Sequence, residues 1–220
     1  MSYRGHADWR DMSDYVVHFT KDGAGITAFE SMRSILAAGT IEARSAFGFA
    51  TGVNGLDLTQ HCACFSEIPL DMLDRLVARR STYGIGFHQD TLIPKGAGRV
   101  WYLDQGIPQL AAMQSMVTLA MTGGVDQGDP VWRITPFADS TAPNYHFEWE
   151  REWRLPNSLS FTPDDVAFLF LPEHLHTAAA EFLSSGGGGA GPSYRCPILD
   201  PLWTDFQVQA ALHNLAPPSF

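Results

Sequence analysis

The stretch His146–Leu155, HFEWEREWRL, decides how the rest of the chain is read. Taken as a strand, it sends alternate side chains to opposite faces. Glu148, Glu150, Glu152 and Arg154 then share one face, and Phe147, Trp149, Arg151, Trp153 and Leu155 share the other. Carboxylates two residues apart on a strand lie roughly 6–7 Å from each other. Each raises the cost of ionising its neighbour unless Arg154 or a ligand offsets the charge. A solvated edge strand could carry such a ladder simply to resist aggregation. Two tryptophans on the opposite face argue instead for a strand fixed in a sheet, with one or two of the glutamates lining a cleft and acting on a polar ligand.

The bulk composition narrows what that ligand can be. With 220 residues, 45% of them hydrophobic, the chain can bury a sizeable core and reads as a single domain over 1–220. A net charge of -10 with only 14 lysines and arginines disfavours a general grip on phosphate backbones. A nucleic-acid substrate would need a local groove. The opening residues MSYRGHADWRDMSDY have no apolar signal region, and no segment approaches the roughly 20 apolar residues of a membrane span, so a soluble cytoplasmic protein without a membrane partner is expected. Cys62, Cys64 and Cys196 make no even disulfide framework. His61, Cys62 and Cys64 are crowded, yet no second ligand pair follows at a zinc-type spacing. They read as structural thiols on a buried strand, and no metal is expected.

Along the chain, Tyr15–Thr20 (YVVHFT) alternates as a first strand, with Val16, His18 and Thr20 on one face. Ile26, Phe29, Met32 or Arg33, and Leu36 then repeat at helical spacing, and Gly39 follows as a C-cap. Residues 43–58 have no sustained period and read as a loop. Cys62–Ser66 is strand-like, and Pro69, Met72, Leu73, Leu76 and Val77 predict a helix after it, which sets Ser66 and Glu67 where a strand meets a helix. Such a position suits a ligand, and equally a helix cap by Ser66.

Tyr83–His88 (YGIGFH) reads as another strand, in which Gly84 and Gly86 mark a bulge or a close approach by a ligand or another backbone. A strand over Arg99–Leu103 and a helix over Pro108–Met121 follow. Val166–Leu171, apolar on both faces, predicts a central strand, and Glu173–Leu183 a helix. Residues 184–193 are a flexible glycine-rich link. They match G-x-G-x-x-G formally at Gly186, Gly188 and Gly191, but without a preceding strand or a following helix they are no dinucleotide fingerprint. A strand at Cys196–Leu199 and a helix from Asp205 to Leu215 complete the reading. Strands and helices mix without a regular βαβ beat, so an α+β fold with mainly antiparallel sheets and flanking helices is expected.

In order and spacing, the blocks VVHFT, SILAAG, CFSEIPL, YGIGF, VWYL and WEREWRL resemble the AbiGi-like abortive-infection family over about Tyr15 to Leu171. That resemblance implies a bacterial role in phage defence or a toxin–antitoxin module. More distantly, the chain resembles the ADP-ribosyltransferases of the DarT- and PARP-like branch. These present a first strand with His, a helix ending in Gly, a second strand with Ser or Tyr, and a late strand with Glu. The likeness implies an ADP-ribosyltransferase-like fold and NAD as substrate. Glu152, or else Glu150, would be the catalytic acid. His18 would hydrogen-bond the NAD hydroxyls with support from Thr20, and Ser66, Tyr83 and Phe87 would complete the binding site, an aromatic ring stacking on nicotinamide.

The chemistry suits these residue types. Breaking the nicotinamide–ribose bond passes through an oxocarbenium-like state, and a carboxylate bonded to the ribose 2′-hydroxyl stabilises the developing positive charge. Two functions from different classes follow. One is an NAD-consuming transferase with a macromolecular acceptor, protein or nucleic acid. The other is a noncatalytic antitoxin-like protein that keeps the fold and masks a cognate basic toxin with its acidic surface. Glycosidic hydrolysis by Glu150 and Glu152 together is disfavoured, because same-face neighbours reach one side of a substrate more easily than both.

Overall fold

A computed structural model describes residues 12–23, 25–67, 69, 73, 77–141, 148–184 and 193–212. Its strands are β1 (Tyr15–Phe19), β2 (Thr40–Ile41), β3 (Ser45–Ala46), β4 (His61–Glu67), β5 (Gly84–His88), β6 (Gly98–Arg99), β7 (Trp101–Leu103), β8 (Ala138–Ser140), β9 (Glu152–Pro156), β10 (Leu159–Ser160), β11 (Val166–Phe170) and β12 (Ile198–Leu199). Its α-helices are α1 (Ala28–Ala38), α2 (Asp57–Gln60), α3 (Gln89–Leu92), α4 (Pro108–Ala120), α5 (His176–Ser184) and α6 (Asp205–Leu212). The class is α+β with mostly antiparallel pairing. The chain clusters into two compact units: residues 1–40, 66–91 and 160–220 form the first, and 41–65 and 92–159 the second.

In the first unit the strands follow the order β12, β11, β5, β1 and the end of β4. All pairs are antiparallel except β11 with β12. Helix α1 begins at a cap, Thr27. Thr27 Oγ1 accepts from the Glu30 N–H and Glu30 Oε2 accepts from the Thr27 N–H at 2.8 Å, a reciprocal capping box. Gly39 closes the helix at φ 60°, in the left-handed region. Ala28, Met32 and Leu36 are the buried stripe.

Register assigns the faces of this sheet. Tyr15 lies opposite His88, Val17 opposite Gly86, and Phe19 opposite Gly84, while Phe168 and Phe170 oppose the same two glycines from the other side. The glycines form a trough into which neighbouring side chains lean. A Cβ on Gly86 would lie 2.3 Å from the Phe168 ring, and one on Gly84 would lie 2.7 Å from Val17 Cγ1. The close approach expected from YGIGFH is therefore that of an aromatic ring. Phe168 meets Phe170 edge-on at 4.9 Å and Tyr15 at 5.3 Å. The opposite face carries Val16, His18, Ile85 and Phe87.

In the second unit β9 lies between β4 and β6, and β3 pairs antiparallel with the start of β4. β7 and β8 form a separate parallel pair, with Tyr102 opposite Asp139. Val117 of α4 joins Ala50, Leu56, Val131 and Trp132 in one apolar cluster, while Leu110 and Met113 join Leu103 and Ala138 in another.

Several expectations shift. The strand read over His146–Leu155 is broken: Glu148–Glu150 is a 3-10 turn, Arg151 takes φ 43°, and the strand begins only at Glu152. The four-residue ladder is thus reduced to Glu152 and Arg154, and His146 and Phe147 lie outside the described residues. β9 is not an edge strand, and Trp153, Arg154 and Leu155 are all buried. Arg99–Leu103 divides into two short strands at Val100. Of the helix expected after Ser66 only Pro69, Leu73 and Val77 are described, and of the glycine-rich link only Ser184 and Ser193.

The Gly86 trough gives a direct test. Gly86→Ala should lower stability by about 1–3 kcal/mol, the usual scale for overpacking a core. Adding Phe168→Leu should recover part of that loss in a double-mutant cycle read by urea unfolding.

Candidate functional site

The residues named from sequence divide between the two units: His18, Thr20, Ser66, Tyr83 and Phe87 belong to the first, Glu150 and Glu152 to the second. In the first, the Thr20 N–H donates to the Tyr83 carbonyl at 3.1 Å, which extends the β1–β5 pairing by one step. His18, Thr20 and Tyr83 therefore share a face, and His18 and Tyr83 are diagonal neighbours at about 7–8 Å between backbones. Both side chains are half-buried. The Tyr83 ring tilts against Phe29 of α1 at 5.8 Å.

The remaining first-unit candidates are placed differently. Thr20 is buried and its hydroxyl donates to the Ala28 carbonyl at 2.8 Å, tying the strand to the first turn of α1. Phe87 is fully buried, with its ring edge-on to Phe161 at 5.3 Å, so it presents no open face for a nicotinamide. Ser66 lies opposite Val17, and hence on the face turned away from His18.

The second unit holds a denser constellation. Glu150 is buried in the 3-10 turn. Glu152 begins β9, and Arg154, two residues on, reaches back to it. Arg154 Nε donates to Glu152 Oε1 at 3.0 Å and Nη2 donates to Oε2 at 3.1 Å, a bidentate fork. The same Nη2 donates to Asp139 Oδ2 at 3.1 Å, and Nη1 donates to the Pro136 carbonyl at 2.8 Å. The guanidinium sits 4.6 Å from the centroid of the Phe47 ring. From β7, the Tyr102 hydroxyl donates to Glu152 Oε2. Side-chain exposure rises from 3% for Arg154 through 13% for Glu152 to 36% for Asp139.

Proton affinities follow from this packing. Burial lowers the affinity of Arg154, but the hydrogen bond and charge of Glu152, followed by Asp139, outweigh it and hold the group more firmly protonated than usual. Tyr102 is pushed up by burial and then by the Glu152 charge. Cys64 is pushed up for the same two reasons. Burial raises Cys62 to about 11, with Arg154 opposing, and Cys196 to about 12. Among the described residues no group of three or more His, Cys, Asp or Glu side chains could hold a metal ion.

Sequence reading missed Tyr102 and Asp139. Tyr102 lies within a block singled out for its pattern, VWYL, and its polar tip is the one signal it offers. Asp139 carries no pattern at all. Comparison with models of protein families, with curated proteins and with solved structures found no match. Among the described residues no helix is long and apolar enough to cross a membrane.

Two outcomes are expected. Arg154→Ala leaves Glu152 without its buried counter-ion and should cost about 3–5 kcal/mol in urea unfolding, whereas loss of the more exposed Asp139–Arg154 contact in Asp139→Asn should cost at most about 1 kcal/mol. Because the folded Cys62 thiol binds its proton more tightly than an ordinary thiol at 9.0, the stability tied to it is fully present below that pH and is lost as pH rises toward about 11. Thermal melts across that window should show the decline, and Cys62→Ala should make it shallower without abolishing it, since Cys64 and Cys196 are raised in the same direction. At pH 8 a thiol-reactive dye should label the native protein far more slowly than the urea-unfolded chain.

Proposed function

We propose that this chain is an NAD-consuming ADP-ribosyltransferase-like enzyme that modifies a macromolecular acceptor, protein or nucleic acid, in bacterial phage defence or a toxin–antitoxin module. The observation that carries the reading is the half-buried imidazole of His18 beside the half-buried phenol of Tyr83 on one face of the first unit's sheet. An imidazole suits the hydroxyls of a dinucleotide, and a ring two positions away suits stacking on nicotinamide. Tyr83 takes that stacking role in place of Phe87, whose ring is spent on the core.

Glu152 of the second unit is the carboxylate that the resemblance names for this chemistry. The nicotinamide leaves with the electron pair of the glycosidic bond, and a carboxylate near the ribose favours the positive charge that develops. An acceptor nucleophile then forms the new bond to the ribose and gives up its proton. The Glu148–Glu150 turn and the burial of Glu150 leave Glu152 as the first choice of the two.

One observation favours a second reading. Both Glu152 oxygens already accept from Arg154, and Oε2 from Tyr102 as well, so the acid is neutralised within the chain. A noncatalytic antitoxin-like protein, using its net charge of -10 to bind a basic partner, would need no free acid. The purified full-length chain, incubated with NAD and host lysate, should release nicotinamide, and Glu152→Gln should slow that release by about a hundredfold or more. If wild type releases none and NAD produces no thermal shift, the enzymatic reading fails. A salt-sensitive complex with a basic protein from the same operon would then carry the second.

A further inference from the structure

We infer that the flank of α1 is the diphosphate-binding part of a nucleotide site, with Arg33 taking the phosphates and the rings of Phe29 and Tyr83 forming the platform beside it. That the nucleotide is NAD rests on the reading above; the site itself lies wholly within the first unit. Ala28, Met32 and Leu36 turn one stripe of α1 to the core. Ile26, Phe29 and Arg33 follow one another at three- and four-residue spacing and so form a second stripe at its flank. This stripe is open: Ile26 is 47% exposed, Arg33 is exposed and Phe29 is half-buried. The Phe29 ring joins two groups. The Arg33 guanidinium lies over it, 5.9 Å from its centroid, and the Tyr83 ring tilts against it at 5.8 Å. A cation, a ring and a phenol from another element thus make one continuous stack, and His18 shares the Tyr83 face of the sheet.

Thr20 fixes the stack by tying both of its elements together. Its hydroxyl donates to the Ala28 carbonyl at 2.8 Å and its N–H to the Tyr83 carbonyl at 3.1 Å, so α1 and Tyr83 cannot part without breaking a buried hydrogen bond. A guanidinium that rests its face on a ring keeps its N–H fork in the plane of the group, the geometry that meets a phosphate at two oxygens. On a chain of net charge -10 an anion needs local cations. Lys21 follows Thr20, and Arg79 and Arg80 come shortly before Tyr83. The acids nearest along β1 and α1 are engaged with backbone: Asp22 Oδ1 accepts from the Ala28 N–H at 2.7 Å, and Glu30 Oε2 from the Thr27 N–H at 2.8 Å. An exposed cation over a ring adds little to stability. What it does add is a donor held in place next to an aromatic surface.

The test is calorimetric titration of the full-length chain with ADP-ribose, with inorganic pyrophosphate as competitor. Wild type should bind ADP-ribose, and pyrophosphate should displace it. Arg33→Ala should keep the wild-type urea midpoint while its Kd for ADP-ribose rises by about tenfold to a hundredfold, the scale of one lost charge-assisted hydrogen bond. Pyrophosphate should no longer compete in that variant. Arg33→Lys keeps the charge, loses the fork and should fall between the two. A purely structural arginine would move the urea midpoint and leave competition by pyrophosphate intact. Equal binding of ADP-ribose by wild type and Arg33→Ala overturns the inference, and the enzymatic reading stands if nicotinamide is still released from NAD. Arg33-dependent binding of ADP-ribose with no release of nicotinamide supports the site and ends the enzymatic reading. If wild type binds neither ADP-ribose nor pyrophosphate, the inference is overturned. If Arg33→Ala does not fold, Arg33→Lys decides by the same two readouts: weakened binding with weakened competition supports the site, and wild-type values overturn it.

Discussion

A guanidinium with almost no access to water organises the second unit. Removing the Arg154 charge from solvent is costly, and only well-placed acceptors offset that cost. Two carboxylates, a backbone carbonyl and an aromatic face supply them, drawn from three stretches of the chain. Glu152 comes from the same strand, Asp139 from β8, Pro136 from the turn before it, and Phe47 from the segment after β3. The requirement to surround one cation thus gathers three separate stretches of chain, and burial there, followed by the Glu152 charge, raises the thiol of Cys64 and the phenol of Tyr102.

The first unit is organised by shape rather than charge. Gly84 and Gly86 leave a groove along β5, and the groove is filled by Val17 from one side and Phe168 from the other. A slip of one residue would turn every side chain to the wrong face, and here it would also drive Phe87 toward the place of a glycine. Register in the central strands is accordingly written into small residues opposite large ones.

Much of this is visible in the amino-acid order, and the failures have physical reasons. Local signals read well: the spacing of Ile26, Phe29 and Leu36 with Gly39 after them announces α1 and its end, and the apolar run at Val166 announces a strand flanked on both sides. The acidic stretch misled because alternation was extended through Arg151, whose left-handed backbone conformation no propensity argument foresees. Phe87 and Thr20 were legible as residues of the right type, yet their fates are tertiary: one meets Phe161, the other Ala28. Tyr102 and Asp139 join Glu152 only through strand pairing across the fold, and pairing of distant segments leaves no local trace.

The interleaving of the two units has a consequence for biosynthesis. The second unit is built from residues 41–65 and 92–159, whereas the first draws on 1–40, 66–91 and 160–220. As a nascent chain emerges, β1 and β5 are exposed long before β11 arrives to cover the Gly86 groove, since Phe168 follows Gly86 by 168 − 86 = 82 positions. The unit that starts first is therefore finished last. Until β11 leaves the ribosome, the apolar edge of β5 waits for its neighbour, the circumstance in which chaperone capture competes with folding.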